Sequence, residues 1–200
     1  EVGRRREVED QLRTSQQQLE QRVVERTSDL EETQHRYRAT FEQAAVGIAR
    51  VQPDGKCLEV NDKLCAILGY TRDELLETNL QGLTYPEDLE ADLQLVEETL
   101  TGKRDTYTIE KRYITKTGNL LWSTLTVALV RHPNGEPNYF IFVVEDISDR
   151  KRIEDTLSRF FDQPMNLHLI ATLDGSIKKL NDAWQHLLGY HPDDLVGSNF

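Results

Sequence analysis

The chain has 200 residues, with 24 Lys or Arg against 35 Asp or Glu, and its formal net charge is −11. This acidity argues against extensive nucleic-acid binding, which needs a basic surface. The sequence has no run of about 18 apolar residues, so it predicts no membrane span. Its two cysteines, Cys57 and Cys65, are too few for a disulfide framework or a four-ligand zinc site.

The first segment is predicted to be one long helix. Residues 1–38 carry 8 basic and 9 acidic side chains and no proline, a composition typical of a helix. Apolar residues recur at steps of three and four, as in a coiled coil, with one repeated step of four that locally unwinds a supercoil. The seam residues are Val8, Leu12, Leu19, Val23, Leu30 and Tyr37.

A helix over residues 4–41 would extend roughly 55 Å. A single compact domain could not bury a thin apolar stripe of that length. We therefore expect a parallel two-stranded coiled coil that forms a homodimer. The alternative is a long helix whose seam packs back on its own domain.

Three helices are predicted in the segment that follows. Asn61 or Asp62 caps the first, and Gly69 ends it. Thr71 and Glu74 form a capping box that begins the second. The third opens with a proline followed by acidic residues, which suit the positive end of the helix dipole. Its apolar stripe is expected at Leu89, Leu93, Val96 and Leu100.

Strands surround these helices in the sequence. Two short strands flank the turn Asp54-Gly55, and three longer ones follow the helices. An antiparallel sheet with helices on one face accommodates this order, which indicates an α+β fold. The fourth strand has weakly apolar residues on both faces, so we expect its second face to be covered by a flanking helix or a second protomer. The predicted strands span 46–52, 56–60, 106–115, 120–131 and 138–145.

An internal repeat occurs at an offset of 120 residues. Its register does not slip over the matched run, which indicates duplication of a folded unit. We expect the second copy to hold only its N-terminal part within this chain. The matched pairs include Asp54-Gly55 with Asp174-Gly175, Asn61-Asp62 with Asn181-Asp182, and Leu68-Gly69-Tyr70 with Leu188-Gly189-Tyr190.

Taken together, these motifs and the run Arg72-Asp73-Glu74-Leu75-Leu76 resemble a PAS domain. The resemblance implies a five-stranded antiparallel sheet of order 2-1-5-4-3 with helices on one face, preceded here by the coiled-coil helix. The expected organisation is a signalling helix at 1–38, a complete PAS domain at 39–147, a linker helix at 148–157 and the start of a second PAS domain at 158–200.

The end of the last strand resembles the motif by which this family couples its core to a following helix. Asp146, Ile147 and Ser148 match it, with Ser in place of Thr. Asp146 or Ser148 is expected to cap the next helix, and Ile147 to anchor it to the core. These three residues are the predicted signal relay.

No cofactor, metal site or catalytic residue is predicted. The place of a flavin-linked cysteine reads Asn79-Leu80-Gln81-Gly82-Leu83, without a thiol, and residues 86–101 contain no histidine for haem. Noncovalent flavin or another small molecule remains an alternative. The residues expected to line its pocket under the long helix are Cys65, Ile67, Leu93, Val96, Tyr113 and Leu125.

The resemblance implies a regulatory sensor that signals to a downstream output domain, in two-component or cyclic-di-GMP type signalling. The segment would have no catalysis of its own, and the whole protein would be a sensor histidine kinase or a diguanylate cyclase. We expect a cytoplasmic location, alternatively within a membrane-anchored receptor. The alternative functions are a light or redox sensor carrying noncovalent flavin or haem, and a protein-interaction scaffold without a ligand.

Overall fold

The structure is a computed structural model that describes residues 2–199, except for the side chains of residues 2–15, 17 and 192. The chain forms two compact units. The first comprises the chain up to Leu120 together with Thr124–Glu145, and the second comprises Leu121–Ser123 together with the chain from Asp146 onward. No helix among the described residues is long and apolar enough to cross a membrane.

The first unit begins with the long helix α1 and contains a five-stranded antiparallel sheet. The strand order is β2-β1-β5-β4-β3, which confirms the predicted order. Helix α2 contacts β1, α3 contacts β2, and α4 contacts β3. The elements are α1 (Val2–Glu42), β1 (Gly47–Val51), β2 (Cys57–Val60), α2 (Asp62–Leu68), α3 (Arg72–Glu77), a 3₁₀ turn (Leu80–Leu83), α4 (Pro86–Leu100), β3 (Thr106–Ile114), β4 (Leu120–Arg131) and β5 (Pro137–Asp146).

The predicted helix boundaries follow from local capping. Asn61, rather than Asp62, caps α2, and Gly69 ends that helix in the left-handed conformation with φ +79°. Thr71 and Glu74 form both bonds of the capping box at the start of α3. These short helices therefore begin and end where short-range side-chain chemistry places them.

The side chain of Asn61 joins the end of α1 to the starts of β1 and α2. Its amide nitrogen donates to the carbonyl oxygens of Phe41 at 2.9 Å and Val46 at 3.0 Å. Its Oδ1 accepts from the backbone N–H of Ile48 at 2.8 Å and of Leu64 at 2.9 Å. The side chain is fully buried, and these four bonds use both of its donors and both acceptor positions.

The sheet has one buried face and one half-buried face. Along β4, Leu121, Ser123, Leu125 and Val127 are buried, while the residues between them are half-exposed. One face of β4 is therefore buried, and the face for which a cover is expected is only half-buried. Part of the second face, at β1 and β5, lies against the last turns of α1, where Phe41 is buried.

The second unit repeats the local plan of the first. A two-stranded antiparallel sheet has a bulge between Ile170 and Ala171, matching the one between Arg50 and Val51. Asn181 also repeats a bond of Asn61, since its Oδ1 accepts from the N–H of His168 at 3.0 Å. The elements are α5 (Ser148–Phe161), β6 (Leu169–Ala171), β7 (Ile177–Leu180), α6 (Ala183–Leu188) and α7 (Pro192–Leu195).

Replacing Asn61 with alanine is expected to lower the free energy of unfolding by at least about 2 kcal/mol, because buried backbone groups lose their partner. Urea denaturation followed by circular dichroism measures the loss. Asn134→Ala is the matched control, since Asn134 bonds only within an exposed turn in the described contacts, and it should cost less than about 0.5 kcal/mol. Equal losses in the two variants would contradict the role given to Asn61.

Candidate functional site

A buried ion pair lies between α4 and the sheet. The ammonium group of Lys111 on β3 is 2.6 Å from Oδ2 of Asp92 on α4 and donates to Thr84 Oγ1 at 2.9 Å. The Tyr107 hydroxyl donates to the other Asp92 oxygen at 3.1 Å. The Lys111 ammonium also lies 4.5 Å from the centre of the Tyr113 ring, so the charge is surrounded by an acid, a hydroxyl and an aromatic face.

Burial controls the proton chemistry of this cluster. Lys111 and Asp92 are only 1% and 2% exposed. Burial lowers the pKa of Lys111, and the Asp92 carboxylate opposes that shift. Burial also raises the pKa values of Tyr107 and Tyr113 above their ordinary value, so both phenols stay protonated in alkaline as well as neutral solution. The cluster is therefore equipped to hold α4 on the sheet rather than to exchange protons with solvent.

The structure corrects the predicted stripe of α4. Leu93 is 41% exposed, whereas Asp92, Val96 and Thr99 are buried. The inward face of the helix is thus rotated by about one residue from the face predicted by hydrophobicity alone, because Asp92 is the partner of a buried cation. Leu93, expected to line a ligand pocket, is thus one of the exposed residues of this helix.

The other predicted pocket residues differ in burial. Val96, Tyr113 and Leu125 are buried, while Cys65 and Ile67 are half-buried. An interior cavity of about 10 Å³ includes Val96 in its lining, with no contribution from the other four. That volume is about the minimum for one water molecule, and it is far below the roughly 300–1,000 Å³ of typical ligand pockets.

The two cysteines are poorly suited to nucleophilic chemistry. Burial raises the pKa of the Cys57 thiol to about 11, so its thiolate is scarce at neutral pH. Burial raises the pKa of Cys65 as well, with Arg72 opposing the shift. Among the side chains that the structure describes, no group of three or more His, Cys, Asp or Glu residues could hold a metal ion.

The predicted seam of α1 is exposed where its side chains are described. Leu19, Val23 and Leu30 are 58%, 63% and 58% exposed, so this part of the helix does not pack back on its own domain. The seam positions Val8 and Leu12 lie outside the described side chains. Over residues 19–30, the apolar stripe is therefore accessible to a partner.

The last seam residue, Tyr37, lies where α1 meets the sheet. Its hydroxyl donates to Glu59 at 2.9 Å, Arg50 pairs with the same carboxylate at 3.2 Å, and its ring stacks on Phe41 at 5.7 Å between centroids. A groove of about 250 Å³ opens beside it. The lining residues are Tyr37, Thr40, Phe41, Ile48, Arg50, Tyr139 and Ile141.

The predicted relay residues form a compact joint at the start of α5. The expected side-chain cap by Asp146 or Ser148 is not formed, because Ile147 occupies the N-cap position of α5. Asp146 Oδ1 instead accepts from the backbone N–H of Ser148 at 2.8 Å, and Ile147 is buried. The N–H of Ile147 donates to the carbonyl oxygen of Trp122 at 2.9 Å, and the Ser148 hydroxyl accepts from the Trp122 N–H at 3.2 Å. Lys151 then lies over the Trp122 ring, 5.2 Å from its centre.

Comparisons with known proteins agree with this geometry. A family model described as PAS domain matches residues 44–149 and 167–200. A probable diguanylate cyclase, DgcE of Escherichia coli, is 44% identical over 125 residues, which are 62% of this chain and 11% of that protein. The sensor histidine kinase TmoS of Ectopseudomonas mendocina is 25% identical over 138 residues, 69% of this chain and 14% of that protein.

A solved structure extends the comparison to three dimensions. The PAS domain of an HTR-like protein from Haloarcula marismortui superposes with a TM-score of 0.52 and 28% identity, covering 62% of this chain and 99% of that structure. The chain thus spans only a small fraction of the curated relatives it matches, and nearly all of an isolated PAS domain.

Breaking the buried ion pair is expected to destabilise the first unit strongly. Lys111→Met leaves the Asp92 carboxylate buried without its cation and should lower the free energy of unfolding by about 3–5 kcal/mol. The double variant Lys111→Met with Asp92→Leu removes both charges and should be more stable than the single variant. Urea denaturation measures the free energy of unfolding of both variants and of Asp92→Leu alone. If the loss in the double variant equals the sum of the losses in the two single variants, the two side chains are not coupled.

Proposed function

Because the chain belongs to the PAS domain family, we propose that residues 39–147 form a sensory module that pairs with a second copy and relays a signal through its flanking helices. PAS domains similar to this one occur in a diguanylate cyclase and a sensor histidine kinase. The signal would enter through the signalling helix, residues 1–38, and leave through the linker helix, residues 148–157.

The observation that carries this proposal is the exposed seam of α1, whose last turn is held by the buried side chain of Asn61. Leu19, Val23 and Leu30 offer an apolar stripe to a parallel partner helix. The nearly balanced charge of residues 1–38 permits two such helices to approach without strong repulsion. The hydrogen bonds of Asn61 attach the last turn of α1 to the domain. A change in the pairing of the helices can therefore displace residues inside the domain.

The joint at Asp146, Ile147 and Ser148 supports relay in the other direction. Its contacts tie the first turn of α5 to the backbone of β4 at Trp122. A shift of that strand would therefore displace the start of the helix. Helix transmission of this kind belongs to the known repertoire of switching transitions.

The relatives indicate the output that such a relay would serve. A diguanylate cyclase or histidine kinase domain downstream of α5 would receive the signal, and the segment described here would contribute regulation rather than catalysis. A cytoplasmic location suits both outputs. Noncovalent flavin or haem is the alternative, and it would need a site other than the cavity beside Val96, whose volume of about 10 Å³ holds neither.

Introducing a charge into the seam is expected to weaken dimerisation. Leu30→Asp should raise the dimer dissociation constant at least about tenfold, because each protomer would place a carboxylate in the apolar contact. Light scattering coupled to size-exclusion chromatography over a concentration series measures the change. Ser28→Asp adds the same charge away from the seam and should leave the dimer intact; a monomeric parent chain at high micromolar concentration would overturn the pairing.

Removing the acceptor at the start of α5 is expected to loosen that helix selectively. Asp146→Ala deprives the Ser148 N–H of its partner, and the amides of the first turn should exchange with solvent about threefold to tenfold faster. Asp155→Ala, in the middle of the same helix, is the control. Unchanged exchange at Ser148 in the Asp146 variant would remove Asp146 from the relay.

A further inference from the structure

Arg72 occupies the corner where α1, β2, α2 and α3 meet. One guanidinium nitrogen donates to the carbonyl oxygen of Val60 at 2.6 Å, and another lies 2.9 Å from Glu42 and 2.7 Å from Asp62. Glu42 is the last residue of α1, Asp62 is the first of α2, and Arg72 is the first of α3. One side chain therefore connects the ends of four elements, α1, β2, α2 and α3.

Glu42 completes this corner with a second bond. Its Oε2 accepts from the backbone N–H of Asp62 at 3.0 Å, while its Oε1 faces Arg72. The α1 carboxylate thus satisfies a free N–H at the start of α2, where negative charge is favoured. Glu42 and Arg72 are 28% and 37% exposed, so water screens this pair less than a fully exposed pair.

The internal repeat shows that this arrangement is specific to the first unit. At the offset of 120, Glu42 and Asp62 correspond to Asp162 and Asp182, so both acids are kept. Arg72 corresponds to a proline, which has no charged group. In contrast, a buried asparagine that bonds to the preceding backbone is present in both units, as Asn61 and Asn181. The repeat therefore retains the fold and lacks the cation that would join the two acids.

We propose that Arg72 is a positioning residue that couples the last turn of α1 to α2 and α3. Movement of α1 then reaches the interior of the first unit through this corner, because α3 carries the fully buried Leu75. This inference rests on the proposed relay and adds the route by which the signal leaves α1. It also assigns a role to the Arg72-Asp73-Glu74-Leu75-Leu76 run beyond helix capping.

The local part of the proposal is tested by hydrogen exchange on the whole 200-residue chain. Arg72→Gln should speed exchange of the Asp62 and Gln43 amides about threefold to tenfold, with core strands unchanged. Lys116→Gln is the matched control, since it breaks the ion pair with Glu74 on α3 without touching α1. Unchanged exchange at both amides in the Arg72 variant would overturn the coupling.

A second variant distinguishes loss of the contact between Arg72 and Glu42 from a general loss of stability. Glu42→Gln removes the negative charge that α1 presents to Arg72 while leaving Arg72 its bonds to Asp62 and Val60. If the two residues act together, Arg72→Gln should add little to the exchange rates already raised by Glu42→Gln, whereas Lys116→Gln should act independently of it. Independent effects of Glu42→Gln and Arg72→Gln would count against the proposal.

The transmission step is tested with a perturbation placed far from the corner. Leu30→Asp in the seam should change amide exchange in α3 in the parent chain, and that response should fall at least about threefold in the Arg72→Gln background. An equal response in both backgrounds would refute the role of Arg72 while leaving the relay intact. If Leu30→Asp changes nothing in α3 in the parent chain, the relay from α1 itself fails, and the coupling at Arg72 is then judged by the two local tests.

Discussion

The buried amide of Asn61 is the constraint on which the first unit depends. Four backbone groups from the end of α1, the loop after it, β1 and α2 are satisfied by one side chain. No hydrophobic contact could replace it, because those groups would then be buried without partners. The direction in which α1 leaves the domain is therefore set by hydrogen-bond geometry. A helix attached in this way can transmit its movement to the elements that share those bonds.

Much of the fold could be predicted from sequence because its boundaries are encoded locally. Gly69 adopts the left-handed conformation that ends α2, and Thr71 with Glu74 begins α3 through contacts over three residues. The alternation along β4 identifies its buried face, and the offset of 120 relates Asn181 to Asn61. Each of these features depends on residues near one another in the chain or on exact repetition.

The interior of the candidate site was less predictable because its main contact joins residues 19 positions apart. Hydrophobicity favoured Leu93 as an inward residue of α4, but the buried cation on β3 requires Asp92 there. A signal was present, since strand alternation places Lys111 on the same face as Tyr107 and Tyr113. A lysine between two inward tyrosines needs a buried acid, although the sequence does not say which acid is near.

The two units share a backbone arrangement but differ in the side-chain contacts around the helix that precedes each sheet. In the first, charged side chains surround the end of α1, with Arg72 joined to Glu42. In the second, aromatic packing is prominent at the end of α5, where His168 stacks with Phe160 and its Nδ1 lies 2.7 Å from the Phe161 carbonyl oxygen. Ion pairs between partly exposed groups weaken with salt, whereas aromatic stacking is an apolar contact. The buried asparagine is therefore common to both units, while the side chains around it differ in the kind of contact they make.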